Sequence, residues 1–337
     1  MNSVAVYVGL DYHQSAVQVC VMDKHGRVLL NRSCRNDWEE ITKRANSCGR
    51  VQGAAIESCT GAADLADELV TLAGWTVNLA HPGFVHRMKQ NPDKTDYSDA
   101  RMLADLERVG YLPKVWLAPQ EVRELRSVVR YRDQLVHERR NLKLRVSAIL
   151  RQQRIRYSAG GTWTRKWEAW LRSVKGLSPQ GRWVINRHLR HMASVLEDIA
   201  EVEEHLAELT ADNSMVAALQ RMPGIGPVTA WTIRAEIGRF DRFRSGKQLA
   251  RFCALTPRNA SSGDRQADAG LIKAGNRALR TVLIEAAHRL IRFDDEWISF
   301  AEELLRRGKP KCVVVAATAN RWVRRLYHDL QPSQLAA

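Results

Sequence analysis

The stretch VAVYVGLD, Val4–Asp11, decides how the N-terminal part of this 337-residue chain is read. Val4, Val6 and Val8 alternate with Ala5 and Tyr7, a pattern that suits a buried central strand. Asp11 then stands where the strand ends. A carboxylate at the mouth of a buried strand is costly without a positive partner, and a divalent cation is one such partner. For this residue alone, a turn-forming Asp is the plainer reading.

Outward from that strand, Val17–Asp23 and Val28–Arg32 read as two more, joined by the hairpin chemistry of Asp23-Lys24-His25-Gly26. The three predict an antiparallel meander. Residues 37–47 read as a helix and Gly53–Ile56 as a fourth strand, followed directly by Glu57. Ala62–Ala73 has a helical apolar face, and Trp75–Ala80 reads as a fifth strand. This order is similar to that of a ribonuclease-H-like α/β sheet. Next, KTDYSDA (Lys94–Ala100) places Asp96 and Asp99 three apart at a helix start, so both carboxylates lie on one helical face. Helix capping covers Asp93 or Asp96 well. It explains the pair of Asp96 and Asp99 less well, because stacked carboxylates repel unless a cation lies between them.

Asp11, Glu57, Asp96 and Asp99 therefore all stand at element ends. Two divalent ions ~4 Å apart, held by such carboxylates, can activate an attacking oxygen and stabilise a leaving one in phosphodiester chemistry. Mg²⁺ is the expected ion, two of them, because every candidate ligand is an oxygen. His13, His81 and His86 read as loop or phosphate-contact residues.

Lys and Arg number 52 against 37 Asp and Glu, a net charge of +15, which points to a polyanionic partner, most simply nucleic acid. The six cysteines are scattered without metal-ligand spacing and read as reduced thiols. No apolar run is long enough for a membrane span and no signal-peptide pattern opens the chain. A cytoplasmic protein without a membrane partner is expected.

After Pro113 and Pro119 the pattern becomes helical from Gln120 to Arg156. Val128, Leu135, Leu142 and Ile149 recur every seven residues as a coiled-coil-like seam. The other faces are basic, with Arg130, Arg139 and Arg140 among their cations, and read as phosphate contacts against the plainer alternative of a solvated face. Trp163, Trp167 and Trp170 follow, either as a hydrophobic cluster at a hairpin tip or as base-stacking residues. Arg182–Ala211 is a second long helix, predicted to pair with the first as an antiparallel hairpin or across a dimer.

MPGIGPVTA (Met222–Ala230) resembles a helix-hairpin-helix. Gly224 and Gly226 let the backbone turn tightly and present N–H groups to a phosphate at a helix N-terminus. LTPRNASSG (Leu255–Gly263) reads as a loop, with Arg258, Arg265 and Lys273 among the cations around Ser261 and Ser262. On spacing it is a phosphate-binding loop, because no Ser/His/Asp arrangement is evident nearby. Leu279–Phe293, Trp297–Arg306 and Lys311–Leu330 read as three closing helices.

Taken together, the four acids with KTDYSDA, the basic central helix, MPGIGPVTA, and LTPRNASSG with GLIKAGNRALR resemble the insertion sequence 110 type of transposase, related to Piv-type DNA invertases. The resemblance covers nearly the whole chain. It implies a RuvC-like α/β domain over residues 1–112, a basic coiled-coil spacer over 113–215 and a small all-α transposase domain over 216–337. It implies that the four acids hold Mg²⁺ while a serine attacks a DNA phosphodiester and forms a phosphoserine link. Ser262 matches that serine by its position before Gly, with Ser261 its neighbour. Donor and target DNA, an element-encoded guide RNA and a homo-oligomer, dimer or tetramer, are the implied partners. The rival readings are a RuvC-like junction-resolving nuclease using water and a non-catalytic DNA-binding protein. An actin-like sugar kinase is disfavoured because Tyr12-His13-Gln14 replaces the Gly and Ser/Thr that would cradle ATP phosphates.

Overall fold

The computed structural model describes residues 4–88, 95–260 and 268–331. The chain divides into two units, Met1–Pro119 and Gln120–Ala337.

In the first unit, β1 (Ala5–Tyr12), β2 (Ala16–Asp23) and β3 (Val28–Arg35) form the expected antiparallel meander. Then come α1 (Trp38–Asn46), β4 (Arg50–Glu57), α2 (Ala62–Thr71), β5 (Val77–Ala80), α3 (Pro82–Met88), α4 (Asp96–Arg108) and β6 (Lys114–Val115). The sheet order is β3-β2-β1-β4-β5-β6, with β4 parallel to β1, β5 parallel to β4 and β6 antiparallel to β5. β4 begins at Arg50, earlier than its apolar run, because Arg50 and Val51 pair with Ala5 and Val6 before a register shift.

Side chains of a strand alternate between the faces of its sheet. Val6, Val8 and Leu10 pack on one face of β1 with Ile41 of α1 and with Leu65 and Leu69 of α2. The other face carries Tyr7, Gly9 and Asp11 and is covered by α4, whose Ala100 and Ala104 pack against Cys20 and Met22 of β2. Parity alone therefore turns Asp11 toward α4.

The second unit opens with α5 (Gln120–Gln152), α6 (Arg165–Ser173) and α7 (Pro179–Leu209). α5 and α7 pair within the chain. Val146 and Leu150 meet Ile185, while Leu135 and Leu142 meet Met192 through Val202, so the two helices run antiparallel. The buried stripe of α5 is Val122, Leu125, Val129, Leu135, Leu142, Val146 and Leu150. Val128 and Ile149 of the expected heptad are only half-buried. A straight helix turns every ~3.6 residues, so a strict seven-residue register drifts off its seam. At the far end Trp167 is buried, with Trp163 at 4.3 Å and Trp170 at 6.3 Å between ring centroids. The indoles close the hairpin as a packed cluster.

Next come α8 (Ser214–Gln220), α9 (Pro227–Ile237), α10 (Gly246–Phe252), β7 (Pro257–Asn259), β8 (Asp268–Leu271), α11 (Arg277–Phe293), α12 (Asp295–Arg306) and α13 (Lys311–Asp329). The last three helices lie where periodicity predicts them. The all-helical expectation for residues 216–337 is corrected by the antiparallel pair β7–β8. Neither strand is rich in β-branched residues, and no local pattern marks them. They are brought together beside the buried Leu255 and Ile272.

Candidate metal centre

Leu10 pairs with Ile56 across the parallel strands β1 and β4, so Asp11 and Glu57 are the next residue on each at the same edge of the sheet. Carboxyl ends of parallel strands are where open α/β sheets build their sites. α4 supplies the other two acids. Its N-cap is Thr95, whose side chain accepts from Ser98 N in a capping box, so neither Asp96 nor Asp99 is spent on capping. Gly9 lets α4 press onto β1: a Cβ there would stand 2.0 Å from Ala100 O and 2.4 Å from Ala104 N. With Ala100 seated on Gly9, the first turn of α4 lies at Asp11, two residues along the same face.

The structure brings the four predicted acids into one electrostatic neighbourhood. Burial pushes the Asp11 carboxyl above its usual range. His13 opposes this, and the charges of Asp96, Asp99 and Glu57 add to it. Asp99 is buried, at 5% exposure, whereas the Asp96 side chain is largely open to solvent. His13 joins them. Its Nε2 lies 3.3 Å from Asp96 Oδ2 and 3.6 Å from Asp11 Oδ2. Ligand atoms of Asp11, His13 and Asp96 all fall within 4.8 Å of one another. His13 stands two residues beyond Asp11, and its only signal in the sequence is that spacing. His81 instead accepts from Gly83 N through Nδ1 and packs at a tilt against the Phe84 ring.

The donor set fits a hard divalent cation. Clustered carboxylates, with Asp99 buried and with Asp11 pushed up first by burial and then by its acidic neighbours, are an arrangement that a cation relieves and that is unfavourable without one.

In the second unit, Arg139 is half-buried and Arg140 exposed on α5, and Arg258 and Lys273 are exposed near β7 and β8. Gly224, at φ 79°, turns the chain between α8 and α9, and Gly226 is the N-cap of α9. Arg130 is engaged differently. It donates to both oxygens of Glu236, at 2.8 and 3.1 Å. Glu236 is 4% exposed and also accepts from Asn276 Nδ2 at 2.6 Å. Asn276 is in turn the N-cap of α11. Sequence reading passed over Glu236. Its signal was the one acid in a helix that is buried on nearly every side. Ser261, Ser262 and Arg265 lie outside the described residues.

Comparison with known proteins places both halves. A DEDD transposase family of the IS110 group matches residues 8–155, and the "Transposase IS116/IS110/IS902 family" matches residues 216–302. The chain is 26% identical over 322 residues to the "Transposase for insertion sequence element IS1111A" of Coxiella burnetii, covering 93% of this chain and 86% of that one. It is 29% identical over 332 residues to a "Probable family 20 transposase" of Pseudomonas aeruginosa, covering 95% of each. Over 280 residues it is 26% identical to the transposase for IS1328 of Yersinia enterocolitica, covering 83% and 82%.

Proposed function

We propose, from the premise that this chain belongs to the IS110/IS116/IS902 family of transposases, that it cuts and rejoins DNA through a serine nucleophile assisted by the Asp11–Glu57–Asp96–Asp99 centre. The observation that carries this reading is the convergence of Asp11 and Asp96, from elements 85 residues apart in sequence, within 4.8 Å through His13.

Asp11, Glu57, Asp96 and Asp99 would hold the metal, Mg²⁺ by the hardness of their oxygens. Bound there, two such ions supply Lewis-acid activation of an attacking oxygen and charge stabilisation of a leaving one. The protein's own part is positional. β1 and β4 present Asp11 and Glu57 from a rigid sheet, and α4, seated on Gly9, presents Asp96 and Asp99. Burial of Asp99 keeps that carboxylate from being fully hydrated.

Ser262, the nucleophile suggested by the resemblance, forms a bond from its Oγ to phosphorus as the bond to a sugar oxygen breaks. The hydroxyl proton leaves and the departing oxygen takes one up. The covalent link stores the bond for rejoining, which separates strand transfer from hydrolysis. Arg139 and Arg140 on α5, the N–H groups after Gly224 and Gly226, and Arg258, Arg265 and Lys273 act as backbone-phosphate contacts. An element-encoded RNA as guide, and a dimer or tetramer as the working form, complete the proposal; the family resemblance implies both, and the +15 charge is compatible with the RNA.

The test is incubation with DNA of an element end and Mg²⁺, followed by a denaturing gel. A covalent protein–DNA adduct that disappears in Ser262→Ala is the expected result. Clean cutting that survives this change would instead establish a water-using nuclease, and no cutting at all a DNA-binding protein.

A further inference from the structure

The C-terminal unit contains a groove of about 1110 Å³ that no part of the proposed chemistry uses. Leu255, Leu271, Phe300 and Val313 line its apolar part, and Arg321 and Arg324, with His328 beside them, line its polar part. One helix, α13, contributes to both. α13 exposes Val313 toward its start, then the half-buried Ala316 and Ala317, and then the exposed polar side chains of Arg321, Arg324 and His328. The Arg321 guanidinium lies over the Phe300 ring, 4.7 Å from its centroid, so a planar cation and an aromatic ring stand together in one wall. Arg325 is bound by Glu296 at 2.6 Å, which leaves Arg321 and Arg324 as the cations facing an anionic ligand. Asn320 Nδ2 of α13 donates to Leu255 O at 3.0 Å and ties the helix to the chain entering β7.

We propose that this groove takes an unstacked nucleotide of a bound nucleic-acid strand. Its base lies against Phe300, Leu255 and Leu271, and its phosphate faces Arg321 and Arg324. The inference rests on the transposase reading for its nucleic acid and goes beyond it in assigning a base-binding site. Apolar walls with a planar guanidinium and a ring are the surfaces on which splayed bases stack. The cationic end complements a phosphate, and the chain's net charge of +15 favours a polyanion over an apolar helix as occupant. Pro257, Gly270 and Leu271 of the groove belong to β7 and β8, the strands that flank residues 260–267 in sequence. A base held here would therefore lie beside β7 and β8.

Cys312 is exposed and lines the groove, which gives a direct reporter. In the full-length chain carrying Cys59→Ser, the alkylation rate of Cys312 is measured with and without a short mixed-sequence single strand, as DNA and as RNA. Peptide mass spectrometry assigns the alkylated site. Protection of several-fold is expected, and the stronger arm identifies which strand supplies the nucleotide. Arg324→Gln, an exposed position, and Phe300→Ala should each weaken oligonucleotide affinity by about ten-fold, in the range of one lost base stack. Equal protection by polyglutamate would overturn the proposal, since charge alone would then suffice. Protection that rises with protein concentration alone would overturn it in favour of a second copy. Oligonucleotide binding without protection of Cys312 removes the groove while leaving the transposase reading intact. No oligonucleotide binding at low salt removes both.

Discussion

Gly9 and Ala100 are in direct backbone contact: a Cβ on Gly9 would stand 2.0 Å from the Ala100 carbonyl oxygen. Helix α4 thus rests on bare strand backbone, and this seat carries Asp96 and Asp99 to Asp11. Gly9→Ala should push α4 off the sheet. Overpacking of this kind costs about 1–3 kcal/mol, and a contact with backbone cannot be relieved by a rotamer change. We expect a lower melting temperature together with loss of Mg²⁺-dependent strand cleavage. A variant that melts lower yet cleaves at the wild-type rate would show that the seat is purely structural.

Burial and three neighbouring carboxylates raise the Asp11 pKa. A carboxyl raised in the folded state contributes stability below its unfolded pKa and loses it as pH rises through the folded value. At neutral pH without metal, ionised Asp11 is therefore destabilising. Asp11→Asn should melt at a higher temperature than wild type in EDTA, and it should lose the stabilisation that Mg²⁺ gives the wild-type protein. Thermal melts with and without Mg²⁺ at neutral pH decide this. An unchanged Mg²⁺ response would remove Asp11 from the centre.

His13 bridges Asp11 and Asp96 through Nε2. Mg²⁺ takes oxygen ligands, whereas Zn²⁺ also takes imidazole nitrogen. In His13→Ala we expect Mg²⁺ affinity to stay within about three-fold while Zn²⁺ affinity drops about ten-fold or more, read by calorimetry. A large loss of Mg²⁺ affinity would make His13 part of the working ligand set.

Arginines of α5 should separate into two classes. Arg140 is exposed, and Arg140→Ala should weaken nucleic-acid binding at all sequences and reduce the slope of log affinity against log salt by about one. Arg130→Ala removes the bidentate partner of the buried Glu236. Losing one partner of a fully buried pair costs about 3–5 kcal/mol. About 2 kcal/mol is expected here, because Arg130 itself is 59% exposed and Asn276 still donates to Glu236. Salt titrations and denaturant melts on both variants test the division, which fails if the two behave alike.

Much of the candidate site was legible because its acids occupy element ends. VAVYVGLD shows a strand and its terminus, GAAIE repeats the arrangement, and the Asp96/Asp99 spacing shows one helical face. The partly wrong heptad on α5 and the unread strands β7 and β8 share a cause. Both depend on which residues the neighbouring helices cover, and local periodicity is only a proxy for that. Glu236 was missed for a related reason. A lone acid in a helix is ordinary until its burial is known, and burial belongs to the packed unit.

The chain's own order of residues determined the strand and helix succession, the basic surplus, the four acids at element ends and, through strand parity, the side of β1 on which Asp11 stands. These follow from backbone periods of two and about 3.6 residues, which act over a few neighbours. Tertiary structure alone decided that α4 lies on Gly9, that His13 enters between Asp11 and Asp96, and that Arg130 serves Glu236. It also decided that α13 and β7–β8 enclose a groove. Each is a distance of a few ångströms between residues that are not chain neighbours. Such distances are set by how side chains fill the space between elements, and no repeat within either element records them.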